Sequence, residues 1–290
     1  MKSCMPPDPN LRRPAFVLPP EACDAHCHVF GPAALFPYAA DSTYIPPDAP
    51  KQALAELHAT LGISRAVIVQ ASCHGTDNRA TLDAIATSNG AYRGVAIVDD
   101  GFDDAQAQRL HEGGIRGVRF NFVRHLGGVP DMAVFHRTLE RIAPLGWHVV
   151  LHLDAGDLIE HREMLHGLRV PFVIDHMGRV KAGAGLEQPP FQALLELMRH
   201  ENAWVKVCGS ERVSTAGPPF TDAAPFAAAL VRAAPERVLW GTDWPHPNIA
   251  RDMPNDAGLV ELIPLLAPEP EQQRLLLVDN PARLYGFETS

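Results

Sequence analysis

Short apolar runs bounded by turn residues alternate along this chain with stretches whose apolar positions repeat every three or four residues. The runs lie at 66–70, 95–98, 117–122, 148–154, 171–176, 204–208 and 238–240, and carry the Val, Ile and aromatic side chains that fit a pleated surface. Helical spacing fills the intervals at 76–87, 103–110, 131–143, 158–165, 191–198 and 222–234. A further run at 23–30 precedes a helix through Leu54, Leu57 and Leu61, with Asp48 as its expected cap. Eight strands, each followed by a helix, are what a closed (β/α)8 TIM barrel, an α/β fold, requires. A doubly wound open sheet is the runner-up. Its first strand would run into His26-Cys27-His28-Val29-Phe30-Gly31-Pro32, which offers no GxGxxG phosphate loop. Residues 1–21 hold six prolines and little periodicity, so they read as an extended arm, leaving 22–290 as one barrel domain. The last helices, 259–266 and 271–278, are expected to cover the barrel's outer surface.

Composition narrows the partners. With 290 residues, 46% of them apolar, the chain is long enough to bury a barrel core undivided. A net charge of -9, with no Lys/Arg run longer than a pair, argues against nucleic acid. No apolar stretch reaches about 18 residues, so no membrane span is expected. Five cysteines form no CxxC pair, which fits a reducing cytoplasm. Oligomerisation is left open.

A barrel concentrates its chemistry at the strand C-termini. His26, His28, Ser72, His74, Arg119, His152, His176, Arg179, Arg212, Asp243 and His246 all fall at or just past such ends. In an extended strand His26 and His28 point to one side, and strict alternation puts Asp24 there too. His26, His28, His152, His176 and Asp243 together make a donor set for one divalent ion such as zinc or manganese, with an open position for water. Asp243 serves either as ligand or as the base that takes the water's proton. For His152 the plain alternative is a packed histidine bonded to a carbonyl. Arg119, Arg124, Arg179 and Arg212 offer guanidinium forks for carboxylates, although Arg124 reads equally well as a surface ion pair. Lys206, in the middle of an apolar run, is either a structural counter-charge or faces the ligand.

Residues 24–32, 67–78, 118–122, 174–179 and 240–248, with 216–219 and 280–285, carry a more specific signal. In these runs the chain resembles the 2-pyrone-4,6-dicarboxylate lactonases of the amidohydrolase superfamily. The resemblance extends from about residue 15 to the end and implies hydrolysis of a small polyanionic lactone to an oxalomesaconate-type acid. It implies that Asp243 activates water, that His26, His28 and His176 polarise the carbonyl, and that Arg119, Arg179 and Arg212 grip carboxylates. Ser72 and Tyr44 would add hydrogen bonds, with His246 also at the site, and no metal would be needed.

Two positions depart from that family. His152 stands where a substrate-contacting tyrosine is expected, and Arg124-His125 replaces a Lys-Arg pair. Both changes resemble sulfomuconolactone-type and sugar-lactone hydrolases, which use a divalent ion, so the expected cofactor is either none or one zinc or manganese. A metal-dependent decarboxylase and a non-catalytic carboxylate-binding module are the competing classes.

Overall fold

The computed structural model describes residues 2–288. Eight parallel strands follow one another in chain order around a single sheet. They are Cys23–Cys27, Arg65–Val69, Tyr92–Ala96, Ile115–Asn121, His148–His152, Phe172–Ile174, Ala203–Lys206 and Val238–Leu239. Backbone bonds from Ala25 N–H to the Trp240 carbonyl (2.9 Å) and from Asp243 N–H to the His26 carbonyl (2.7 Å) bring the last strand back to the first. Gly241 permits that approach, since a Cβ there would lie 2.5 Å from the His26 nitrogen. The result is the (β/α)8 barrel.

Alternation along each strand sorts the side chains into two layers. Ala66, Ile68, Val149, Leu151, Phe172 and Ile174 pack outward against the helices. Cys23, Ala25, Val67, Val69, Val95, Val150, Val173 and Leu239 form a separate buried cluster within the barrel. Leu259, Ile263 and Leu266, with Leu276 and Leu277, pack in the outer layer as expected, while the following helix Asn280–Tyr285 lies against the inner cluster through Ala282 and Tyr285 and plugs the barrel interior.

Four local expectations are corrected. The pairing of the first strand slips between Asp24 and Cys27, and this bulge turns Asp24 away from His26 and His28. Asp24 meets His58 of the helix Lys51–Leu61 at 3.2 Å and Thr242 Oγ1 at 2.6 Å instead. Asp48 does not cap that helix, whose N-cap is Pro50. It accepts from the Ala33 N–H (3.1 Å) and the Tyr38 hydroxyl (3.0 Å), tying down the loop after the first strand. The third strand starts earlier than its apolar stretch because Tyr92 and Arg93 still pair with the second strand. The helix after the fifth strand breaks at His161 into Asp157–Glu160 and Arg162–Gly167.

Ahead of the barrel, Lys2–Ser3 pairs with Tyr44–Ile45, and Arg12 grips Glu261 with two bonds of 2.6 and 2.7 Å. Among the described residues no helix is long and apolar enough to cross a membrane.

Candidate active site

The C-terminal ends of the strands deliver their polar side chains through unusual backbone. The sixth strand leaves into Asp175–Arg179, where His176, Met177 and Gly178 are all left-handed. Asp243 (φ 65°) and His246 (φ 60°) are left-handed as well. Such positions cost about 1–3 kcal/mol each for non-glycine residues, so the surrounding packing must hold them. Gly209 (φ 76°) faces the His176 ring, and a Cβ there would lie 2.8 Å from Nδ1. A side chain at 209 would displace His176.

Three imidazoles converge on one carboxylate oxygen. Asp243 Oδ1 lies 3.3 Å from His28 Nε2, 3.5 Å from His26 Nε2 and 3.8 Å from His176 Nε2. The other oxygen, Oδ2, accepts from the Arg212 guanidinium at 2.5 Å, and Arg212 also donates to the Pro247 carbonyl at 3.0 Å. Burial pushes the Asp243 carboxyl up, but Arg212 and the facing histidines outweigh it and hold it well below the ordinary range. It is a carboxylate at neutral pH. His176 is pushed down to about 4 by burial against the pull of Asp243 and Asp175. His26 goes well below its usual value through burial and the Lys206 ammonium, so the two rings are uncharged. The Val69 carbonyl can only accept, so His28 donates to it from Nδ1 at 2.7 Å and turns Nε2 toward Asp243.

Beneath this cluster lies a second charged group, entirely buried. Asp175 contacts Lys206 Nζ (3.3 Å), His26 Nδ1 (3.2 Å) and Arg119 (3.1 Å). Burial raises its carboxyl, and the neighbouring Lys206, His26 and Arg119 bring it well below the ordinary range. Among the described residues Arg119 Nε and His152 Nε2 are buried without a hydrogen-bond partner. His152 Nδ1 meets Asn121 Oδ1 at 3.1 Å. Burial, Arg119 and His176 push His152 well below its usual value.

Above these groups opens a cleft lined by His28, Tyr44, Ser72, Arg119, His152, His176, Arg179, Arg212 and Asp243, with His125, Leu126, Pro247 and Asn248 at its rim. Tyr44 stays protonated because burial raises its phenol, which leaves it a donor. Three guanidinium groups share this mouth with one carboxylate, which favours an anionic occupant. Among the described residues Arg179 is tied to the half-exposed Asp154, at 3.0 Å.

The donor chemistry accommodates a single divalent ion. Ligand atoms of His26, His28 and Asp243 lie within 4.8 Å of one another, and among the described residues His26 Nε2 has no hydrogen-bond partner. Zinc or manganese suits two imidazoles and a carboxylate. His176 and His152 stand beside this set, their rings 5.6 Å apart.

Most of the residues singled out in the sequence therefore meet in one cleft. Arg124 does not: it is exposed on a short turn, and its neighbour His125 lines the rim instead. His246 lies beneath the mouth, against Asp256 (3.0 Å) and Glu211 (3.8 Å). Burial alone would lower His246, but the two carboxylates raise it to about 10. His74 is buried beside the Gly31 N–H and the Pro37 carbonyl. Asp175, Glu211 and Asp256 were not anticipated. Lys206 offered the usable signal, because a lysine inside a buried parallel strand needs a carboxylate opposite it.

The amidohydrolase family profile matches residues 23–287. The chain is 48% identical to a 2-pyrone-4,6-dicarboxylate hydrolase of Comamonas testosteroni, over 96% of this chain and 94% of that one. It is 40% identical to a 4-sulfomuconolactone hydrolase of Hydrogenophaga intermedia, over 98% and 94%. A probable 2-pyrone-4,6-dicarboxylic acid hydrolase from Acinetobacter baumannii, solved with citric acid bound, superposes with a TM-score of 0.80 at 27% identity, covering 92% of this chain and all of that one. With the barrel, the strand-end histidines and these likenesses in hand, the chain belongs to the amidohydrolase superfamily and is closely related to its 2-pyrone-4,6-dicarboxylate hydrolases.

Proposed function

We propose that this enzyme hydrolyses a small polyanionic lactone, with 2-pyrone-4,6-dicarboxylate as the substrate that fits best. One observation carries the reading: Arg119, Arg179 and Arg212 share a single cleft with Asp243 and the histidines that surround it. Carboxylates on the ring would pair with Arg119 and Arg179, fixing the lactone carbonyl over His26, His28 and His176. A water then attacks the carbonyl carbon and passes its proton to Asp243. Negative charge gathers on the carbonyl oxygen, where the imidazoles and Arg212 stabilise it. The ring C–O bond breaks, the departing oxygen takes the proton back from Asp243, and a ring-opened acid leaves. Ser72 and Tyr44 add hydrogen bonds to the bound anion. If the His26, His28 and Asp243 set holds a divalent ion, that ion contributes Lewis acidity at the carbonyl.

A second reading rests on His152, which lines the cleft and whose buried Nε2 has no partner among the described residues. It favours a sulfomuconolactone-type lactone held at a metal site that includes this histidine. Product analysis and elemental analysis of the purified protein together test both readings. Rapid opening of the pyrone dicarboxylate, surviving chelation, supports the first. About one metal per chain with activity lost on its removal supports the second. Release of CO2 in place of a ring-opened acid would overturn both, and so would the absence of any turnover.

A further inference from the structure

Lys206 and Asp175 do not themselves line the cleft, yet both lie against the buried His26, whose Nε2 is 3.5 Å from the cleft residue Asp243. Lys206 Nζ is 2.9 Å from His26 Nδ1 in hydrogen-bonding geometry. An ammonium has three donors and no acceptor, so this contact is a bond only if Nδ1 offers its lone pair. Asp175 Oδ1 lies against the same nitrogen at 3.2 Å and would take its proton in the other tautomer, but the contact to Lys206 is the shorter of the two. It sits 3.3 Å from Lys206 Nζ and so holds the ammonium in place. All three side chains are fully buried, so no solvent relieves a mismatched proton.

We propose that Lys206, seated by Asp175, is a positioning residue that fixes the proton of His26 on Nε2 and presents that ring to the cleft as a hydrogen-bond donor. The tautomer of an imidazole is set by what its other nitrogen bonds. His28 has the opposite arrangement, with its Nδ1 proton given to Val69. The two rings of one H-x-H pair thus differ at Nδ1, where His26 accepts and His28 donates; the Asp243 carboxylate can only accept, so the His28 Nε2 contact at 3.3 Å is a hydrogen bond only when that nitrogen also carries a proton. In the lactonase reading, on which the catalytic consequence rests, the His26 proton meets the oxygen where charge develops. The same tautomer opposes metal binding at His26, because a protonated Nε2 has no lone pair to give. Lys206 thereby biases the cluster toward proton donation rather than ligation.

The test is nitrogen-15 NMR of histidine-labelled protein as purified, with the His26 signals assigned by their loss in His26→Gln. The expected spectrum has a protonated Nε2 and a bare Nδ1 for His26. A protonated Nδ1 overturns the proposal, whether or not the enzyme opens the pyrone. Failure to hydrolyse that lactone, with the Nε2 proton in place, would sink the substrate reading alone. Lys206→Met is expected to move the proton to Nδ1, to lower kcat about a hundredfold with KM within about twofold, and to tighten zinc binding measured by calorimetry. Asp175→Asn, which retains the Lys206 donor, should keep the proton on Nε2. A purely structural lysine would lower stability in Lys206→Met and leave the proton on Nε2, which would contradict the proposal. Should Lys206→Met fail to fold, the wild-type spectrum still decides.

Discussion

The two ends of the barrel interior are built from the same strands and lead opposite lives. Toward the strand N-termini the space is filled by Val67, Val95, Val150 and Val173 and closed by Tyr285, a packed and mainly apolar layer whose polar members are uncharged groups such as the Tyr285 hydroxyl and the neighbouring His148. Toward the C-termini it holds Lys206, Asp175, Arg119, His26 and Asp243, nearly all without exposure. The apolar end lowers free energy by removing area from water. The charged end takes ions out of water, and attraction between them offsets that cost only in part. Left-handed backbone at His176 and Asp243 adds to the difference. Stability is thus supplied at one end of the barrel and consumed at the other, where groups must stay reactive.

Substitutions should separate the two ends. Tyr285→Ala empties the plug and is expected to lower stability by about 3–5 kcal/mol, as large-to-small core changes of this size do. Denaturant unfolding would measure this, and kcat/KM at a permissive temperature should stay within about twofold. A large loss of turnover per folded molecule would show that the ends are not separable. His246→Gln should cost a similar amount, about 3–5 kcal/mol near pH 7, because Asp256 and Glu211 lose their buried counter-charge. Here pH gives a signature. The folded His246 is raised to about 10 from 6.5, so its contribution is fully present below about 6.5 and fades as pH rises through about 10. The stability gap between wild type and variant should shrink from pH 7 to 10, and a constant gap would argue against a charged His246. Arg179→Met is the mildest of these changes. Loss of one charge-assisted carboxylate contact, about 1.5–3 kcal/mol, should reduce kcat/KM for the dicarboxylate by about 10- to 100-fold while leaving stability nearly unchanged. An unaltered kcat/KM would remove Arg179 from the substrate's carboxylate.

The same division governs what the sequence could reveal. Strands buried on both faces read as continuous apolar runs, so 148–154 and 204–208 mark their strands in the sequence itself. The H-x-H pair and the Gly-Thr-Asp exit near residue 243 were legible because polar residues at the ends of such runs have few other reasons to be there. Asp24 was misread because alternation carries no sign of an inserted bulge residue. The plug by Asn280–Tyr285 was missed because a short helix gives no hint of which surface it will meet. The partners of Lys206 and His246 also stayed hidden, since Asp175 and Asp256 lie on other elements and come near only once the barrel closes.

The most direct test compares wild type with Asp243→Asn, measuring both binding and opening of 2-pyrone-4,6-dicarboxylate. The arginines that hold the carboxylates are untouched by this change, and Asn keeps the shape but not the basicity of Asp243. Binding should remain within a few-fold while hydrolysis falls at least about a hundredfold. Turnover near the wild-type rate in a folded Asp243→Asn protein would contradict a carboxylate-activated water and with it the mechanism proposed for this barrel.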